Sequence, residues 1–246
     1  MNAITGAQEK EKRSVNQTGV LMVHGIQGNP KQFSFLTEAL PTDIMTNCLL
    51  LPGHGAGVSQ FRRSGQEMWL SSVVNAAKKM RVQYRNLVFV GHSMGCLLGL
   101  LAEKENPGLF DGMILLCCPF SLRLTFRYLK NNALSFRKKP VDPYVLATKE
   151  ANGVNASTPF AYLFCLHPYM ELFRLIRHVR RMKFPTTPAY YFFSCRDEIV
   201  SPRSAVIARE HEADRVRFLE NCGHQYFTET AKQEIINTLL KALCFV

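Results

Sequence analysis

No stretch of the sequence is apolar for long enough to cross a bilayer as a helix. Metal-type cysteine spacing is missing too: none of the eight cysteines belongs to a Cys-x-x-Cys pair. The adjacent Cys117 and Cys118 would point to opposite faces of a strand, a poor geometry for a bridge between them. Cys48, Cys117, Cys118 and Cys195 fall inside apolar, strand-like runs. They read as reduced, buried small hydrophobes, the usage expected of a cytoplasmic protein. There is no internal repeat and no low-complexity linker, so the 246 residues are expected to share one core and one domain. Residues 1–17 lack the apolar segment of a signal peptide and are expected to form a flexible N-terminal tail. Acidic residues are scarce, 19 against 30 Lys and Arg, which leaves a formal net charge of +11.

What is present is an alternation of strands and helices. Residues 18–23 are continuously apolar, as in a parallel strand covered on both faces. Residues 47–51, 86–90, 113–117, 188–194 and 215–219 read as further strands, the first of them also buried. Helical spacing falls in 31–40, 67–82, 96–104, 204–212 and 228–245. Such a pattern predicts an α/β fold over residues 18–246, a mostly parallel, doubly wound sheet with helices on both faces. The alternation stops at Pro119. Between residues 120 and 184 there is no strand run, and aromatics mix with bases at helix-like spacing. This segment is expected to be an inserted, mainly helical cap over the ends of the strands.

The chemistry centres on Gly91-His92-Ser93-Met94-Gly95, set where the strand of 86–90 turns directly into a helix. A serine between two glycines at such a turn is a nucleophile elbow: the tight bend lifts the hydroxyl clear of the sheet, above a helix N-terminus. A serine hydroxyl needs a base to take its proton, and the base needs a carboxylate to fix its tautomer. Catalytic groups of a doubly wound sheet belong in loops at the carboxyl ends of strands. Of the seven histidines, His167 and His178 lie in the insertion and His211 in a helix, leaving His24, His54, His92 and His224 after strands. His92 adjoins the serine, and side chains across an elbow diverge. Only His224 follows the last strand, downstream of a strand-end acid, Asp197, with Glu198 as the adjacent alternative acid. The order Ser93, Asp197, His224 is the order such a sheet uses. An oxyanion formed at Ser93 would need two N–H donors. The amide of Met94 is one, and the amide of Ile26, in the glycine-bearing loop after the first strand, is the expected second. His24 is expected to brace that loop. No metal and no organic cofactor is required by this chemistry.

Together, His24-Gly25-Ile26-Gln27-Gly28, Leu51-Pro52-Gly53-His54-Gly55, the Ser93 pentapeptide, Asp197-Glu198-Ile199-Val200 and Gly223-His224 resemble the α/β-hydrolase family. They are similar in particular to compact bacterial carboxylesterases and monoacylglycerol-lipase-like serine hydrolases. The resemblance implies a triad of Ser93, Asp197 and His224 and an oxyanion hole from the amides of Ile26 and Met94. It implies hydrolysis of carboxylic esters, of small or acyl-glycerol-type substrates, through an acyl-enzyme. An acyl thioesterase and a non-catalytic binding protein on the same fold are the alternatives. Two departures stand out. Cys96 replaces a glycine common in such enzymes, and their usual leading antiparallel strands are not evident before Thr18.

Twelve Lys and Arg against three acids in residues 120–184 account for nearly all of the net charge. The expected partner is a small-molecule ester with an apolar acyl group, and the aromatics of the insertion are expected to line its pocket. The bases are either solvated or suited to transient contact with an anionic membrane surface or an anionic substrate. Nucleic acid is not expected, since no recognition motif accompanies the charge.

Overall fold

In the computed structural model, which describes residues 18–244 except Ser157, six apolar runs form a single sheet. The strands are β1 (Thr18–Val23), β2 (Met45–Leu49), β3 (Asn86–His92), β4 (Gly112–Leu116), β5 (Ala189–Ser194) and β6 (Val216–Leu219). Their order is β2-β1-β3-β4-β5-β6, and every neighbouring pair is parallel. The predicted tail of residues 1–17 lies outside the described residues.

Strands β1 and β4 are buried at every position, which is what continuous apolar runs require when helices cover both faces. The predicted buried strand at 47–51 differs: β2 starts and ends two residues earlier and is half exposed. It is an edge strand with β1 as its one neighbour, so its apolar residues describe a single covered side. The predicted helix at 31–40 is a 3-10 turn, Pro30–Phe33, followed by one turn of α1 (Ser34–Thr37), with Pro41 soon after. Two helices precede the central strand, the short α2 (Val58–Phe61) and the long α3 (Gln66–Gln83). Trp69 on the inner side of α3 is fully buried, and its indole N–H donates to the Pro52 carbonyl at 3.1 Å.

Helix α4 (Met94–Glu105) follows β3 and is buried continuously from Met94 to Glu103, because the sheet lies beneath it and other helices flank it. One flanking helix is α3. The other comes from the predicted insertion, which divides into two kinds of structure. Helices α5 (Phe126–Ser135) and α6 (Pro143–Ala151) and the 3-10 turn Pro159–Phe164 precede α7 (Leu166–Arg181). Helix α7 packs against α3 and α4, with Leu175 and Val179 fully buried, and so belongs to the layer over the sheet. It feeds β5, so its C-terminal turn stands by the amino ends of the strands. Arg177, Arg180, Arg181 and Lys183 are therefore at the end of the sheet opposite Ser93. With respect to the two roles expected for the insertion's bases, these four are placed away from the Ser93 end of the sheet, and Arg177, Arg180 and Arg181 are exposed. Helices α8 (Arg203–Glu212) and α9 (Glu229–Cys244) complete the fold.

The strand order sets the position of the site. After β1 the chain moves outward to β2, then returns to build β3, β4, β5 and β6 on the other side of β1. The loops leaving β1 and β3 diverge at their carboxyl ends, and such a switch point leaves a crevice. Ser93 and the loop beginning at His24 both open into it.

Candidate active site

The turn from β3 into α4 carries Ser93 at φ 50°, ψ −121°, left-handed backbone that non-glycine residues rarely adopt. The Ser93 N–H donates to the Leu116 carbonyl at 2.8 Å, and the Ser93 carbonyl accepts from the Cys96 N–H at 2.9 Å. These bonds hold the strained residue from both sides. The flanking glycine is required by space: a Cβ on Gly95 would stand 2.0 Å from the Val23 carbonyl oxygen. That contact is with backbone, so no rotamer relieves it. Gly95→Ala is accordingly expected to cost about 3 kcal/mol or more by forcing α4 away from β1. A chemical-denaturation midpoint equal to that of the parent protein would disprove this packing argument.

Three strand-end groups then meet in one chain of hydrogen bonds. Ser93 Oγ lies 3.0 Å from His224 Nε2, and His224 Nδ1 lies 2.9 Å from Asp197 Oδ2. The other Asp197 oxygen, Oδ1, accepts from the amides of Ile199 at 2.8 Å and Val200 at 2.7 Å. All three side chains are nearly closed to solvent. Burial alone would push the Asp197 carboxyl up, but His224 and the two amides outweigh it and hold the group below its usual value. Burial likewise works to lower His224, and the Asp197 carboxylate, with help from Glu198, outweighs it and raises the imidazole above its usual 6.5.

The other strand-end histidines behave oppositely. Burial first, then neighbouring imidazoles, lower His24 to about 3 and His92 to about 3. Burial lowers His54 to about 4. Each is a neutral brace. His24 Nδ1–H donates to the Gly25 carbonyl at 2.8 Å, and Nε2 accepts from the Leu51 amide at 3.1 Å. His54 Nε2 accepts from the Gln27 amide at 3.1 Å, fixing a residue at φ 57°. The Gly25-Ile26-Gln27 turn is thus pinned beside Ser93. A Cβ on Gly25 would come within 2.9 Å of the Ser93 Cβ, so backbone replaces side chain at the closest approach.

His224 is also held through its main chain, a role for Glu198 and His92 that is invisible in sequence. Glu198 Oε2 accepts from the His224 N–H at 3.1 Å, and His92 Nε2–H donates to the His224 carbonyl at 2.8 Å. Glu198 is buried yet ion-paired at 3.4 Å with Arg127 of α5. The Arg127 guanidinium also donates to the Arg196 carbonyl and lies over the Tyr144 ring, whose hydroxyl donates to the Asn221 carbonyl at 2.6 Å. Arg127 and Tyr144 thereby grip the loops of both Asp197 and His224. Glu198 was detectable in sequence only as a second acid beside Asp197; nothing there marked Arg127 or Tyr144.

Among the described residues, His92, Cys117 and His224 form a cluster whose potential ligand atoms lie within 4.8 Å of one another. Both nitrogens of His224 are engaged by Asp197 and Ser93, one nitrogen of His92 is engaged by His224, and burial raises the Cys117 thiol well above its usual value. The set offers a single free lone pair, at His92 Nδ1, and suits a metal poorly.

The fold agrees with independent comparisons. One of the metagenome-derived lipolytic enzymes LipS and LipT superposes with a TM-score of 0.66 at 21% identity, over 95% of this chain and 96% of its own. The Paleococcus ferrophilus monoacylglycerol lipase gives 0.67 at 12% identity, over 94% and 97%. The N-acyl homoserine lactonase AidH gives 0.63 at 14% identity, over 93% and 89%. At these identities the likeness is one of fold. No curated protein matches the sequence. Residues 20–238 match the Alpha/beta hydrolase family, and with that span, the parallel sheet and the elbow at its switch point, the chain belongs to this family.

Proposed function

We propose that the protein hydrolyses carboxylic esters through an acyl-enzyme on Ser93. The observation that carries the reading is the unbroken hydrogen-bond chain from Asp197 through His224 to Ser93, at a helix N-terminus. In the first half-reaction Ser93 Oγ attacks the ester carbonyl while His224 Nε2 takes its proton. The resulting imidazolium, steadied by Asp197, returns that proton to the departing alkoxide. In the second half-reaction His224 activates a water that releases the acid and restores Ser93. The oxyanion formed in each half would rest on the amides of Met94 and Ile26. Met94 is the first residue of α4, so its N–H has no partner within the helix. Neighbours of this fold that are named as lipolytic enzymes, a monoacylglycerol lipase and a lactonase support ester-type substrates.

Helices α5 and α6 act in this reading as a cap. A cleft of about 540 Å³ runs between the Pro30–Phe33 turn, α6 and the loop after His224, reaching His92 and Leu116. Its walls join the apolar Phe35, Leu146 and Phe227 to the charged Lys31, Glu150, Glu229 and Lys232, and neither Ser93 nor His224 lines it. Of the aromatics expected to line an acyl pocket, Phe126, Phe160, Phe164 and Phe173 are exposed, while Phe120 and Tyr162 are buried. Fluorophosphonate labelling of the purified protein, followed by a panel of esters and thioesters of rising acyl length, tests the proposal. Labelling at Ser93 with ester turnover is the expected result. Absence of both would assign the fold to binding, and thioester preference would make it a thioesterase.

His224 must be neutral to accept the Ser93 proton, so the acid limb of kcat/KM reports its titration. Because Asp197 and Glu198 raise the imidazole, activity is expected to fall, as pH drops, through a midpoint above the ordinary 6.5. A midpoint below the ordinary 6.5 would contradict the electrostatics of the site.

A further inference from the structure

The outward side of α7 changes character halfway along its length. At 100° per residue, Leu166, Met170 and Phe173 share one stripe with Arg177, Arg180 and Arg181. The opposite stripe, with Leu172, Leu175 and Val179, is buried against the layer over the sheet. The outward apolar residues are open: Leu166 is 70% exposed, Met170 53% and Phe173 47%. The 3-10 turn before the helix extends the stripe with Phe160, Leu163 and Phe164, each more than two-thirds exposed. An amphipathic helix covering a sheet has no packing reason to carry a second apolar stripe, and a patch of this kind marks an interaction surface.

The charges select the partner. Glu171 is the one acid of α7; it accepts from the Gln66 amide at 3.2 Å, pairs with Arg174 and is largely covered. The exposed stripe is thus apolar for its first half and basic for its second. A net charge of +11 opposes pairing of this face with a second copy of the chain. We propose that this face of α7 docks on a membrane surface carrying anionic lipid, its apolar end entering the acyl boundary and its arginines lying among the headgroups. Helix α7 would then tilt into the bilayer with its N-terminal end, the end nearer the Ser93 crevice, in the apolar phase. The proposal concerns a surface outside the catalytic groups and is read by binding, so it stands or falls separately from ester hydrolysis.

The test is cosedimentation of the full chain with phosphatidylcholine vesicles with and without phosphatidylglycerol, at low and high salt. Binding is expected only to the anionic vesicles and is expected to weaken as salt screens the arginines. Each base near the surface strengthens partitioning roughly fivefold, so the Arg177→Gln, Arg180→Gln, Arg181→Gln triple variant should lose more than tenfold. Phe164→Ser with Phe173→Ser should remove the binding that persists at high salt. All five positions are exposed, so both variants should keep the parental thermal midpoint and full turnover of a short soluble ester. Equal binding to both vesicle types, or no loss in the triple variant, would overturn the proposal. So would light scattering that shows a dimer abolished by the two phenylalanine changes, since the face would then belong to a second copy.

Discussion

Ser93→Ala is expected to keep the fold and lose roughly 10⁴ to 10⁶ in turnover, together with all fluorophosphonate labelling. The size follows from the geometry of the site. His224 has one acceptor nitrogen facing the crevice, and Ser93 Oγ is the hydroxyl 3.0 Å from it. Without that oxygen no covalent intermediate forms. What remains is the pinned Gly25-Ile26-Gln27 turn and the free amides at the start of α4, which can polarise a bound ester toward water. Alanine tolerates the left-handed turn about as well as serine, and the backbone bonds of residue 93 to Leu116 and Cys96 persist. Circular dichroism and thermal unfolding should therefore match the parent. Substantial turnover by a folded variant would remove Ser93 as nucleophile.

Asp197→Asn should be nearly as damaging, about 10⁴ in kcat, for a reason specific to this site. Asp197 Oδ1 is committed to the Ile199 and Val200 amides, both donors, so an asparagine must keep its oxygen there. Its NH₂ group would then face His224 Nδ1 and force that nitrogen to accept. The imidazole proton would move to Nε2, pointing at Ser93, and the base would be lost. Glu198→Gln tests the adjacent acid. Glutamine can still accept from the His224 amide, so the loss should stay below about a hundredfold. Removing the charge should also move the acid limb of the rate profile to lower pH, because Glu198 helps to raise His224. Steady-state kinetics across pH separates the two; a larger loss in Glu198→Gln than in Asp197→Asn would transfer the acid's role to Glu198.

The contrast between these two acids illustrates what local pattern can carry. Ser93, Asp197 and His224 were legible because each follows a strand run, and strand ends are readable from apolar periodicity and turn residues. The same pattern could not separate Glu198 from a solvated acid, since its partners are the main chain of His224, 26 residues away, and Arg127, 71 residues away. The edge position of β2 was hidden for a similar reason. Pairing on one side or both leaves little mark on a five-residue run such as Met45–Leu49.

Taken by itself, the sequence determined the α/β class, the extent of the strand–helix alternation, the elbow and the chain order of the three site residues. Short-range physics was enough: continuous apolar runs make covered strands, and a glycine-flanked serine makes a sharp turn. The tertiary structure decided which strand lies beside which, and hence that the loops after β1 and β3 open at one switch point. It also divided residues 120–184 between α5 and α6, bound to the loops of Asp197 and His224, and α7, packed on the sheet layer. Both aromatics and bases occur throughout that segment, and composition carries no direction. Whether Arg177 faces the site or the opposite end of the molecule depends on where the chain must arrive to begin β5, and packing against α3 and α4 settles it.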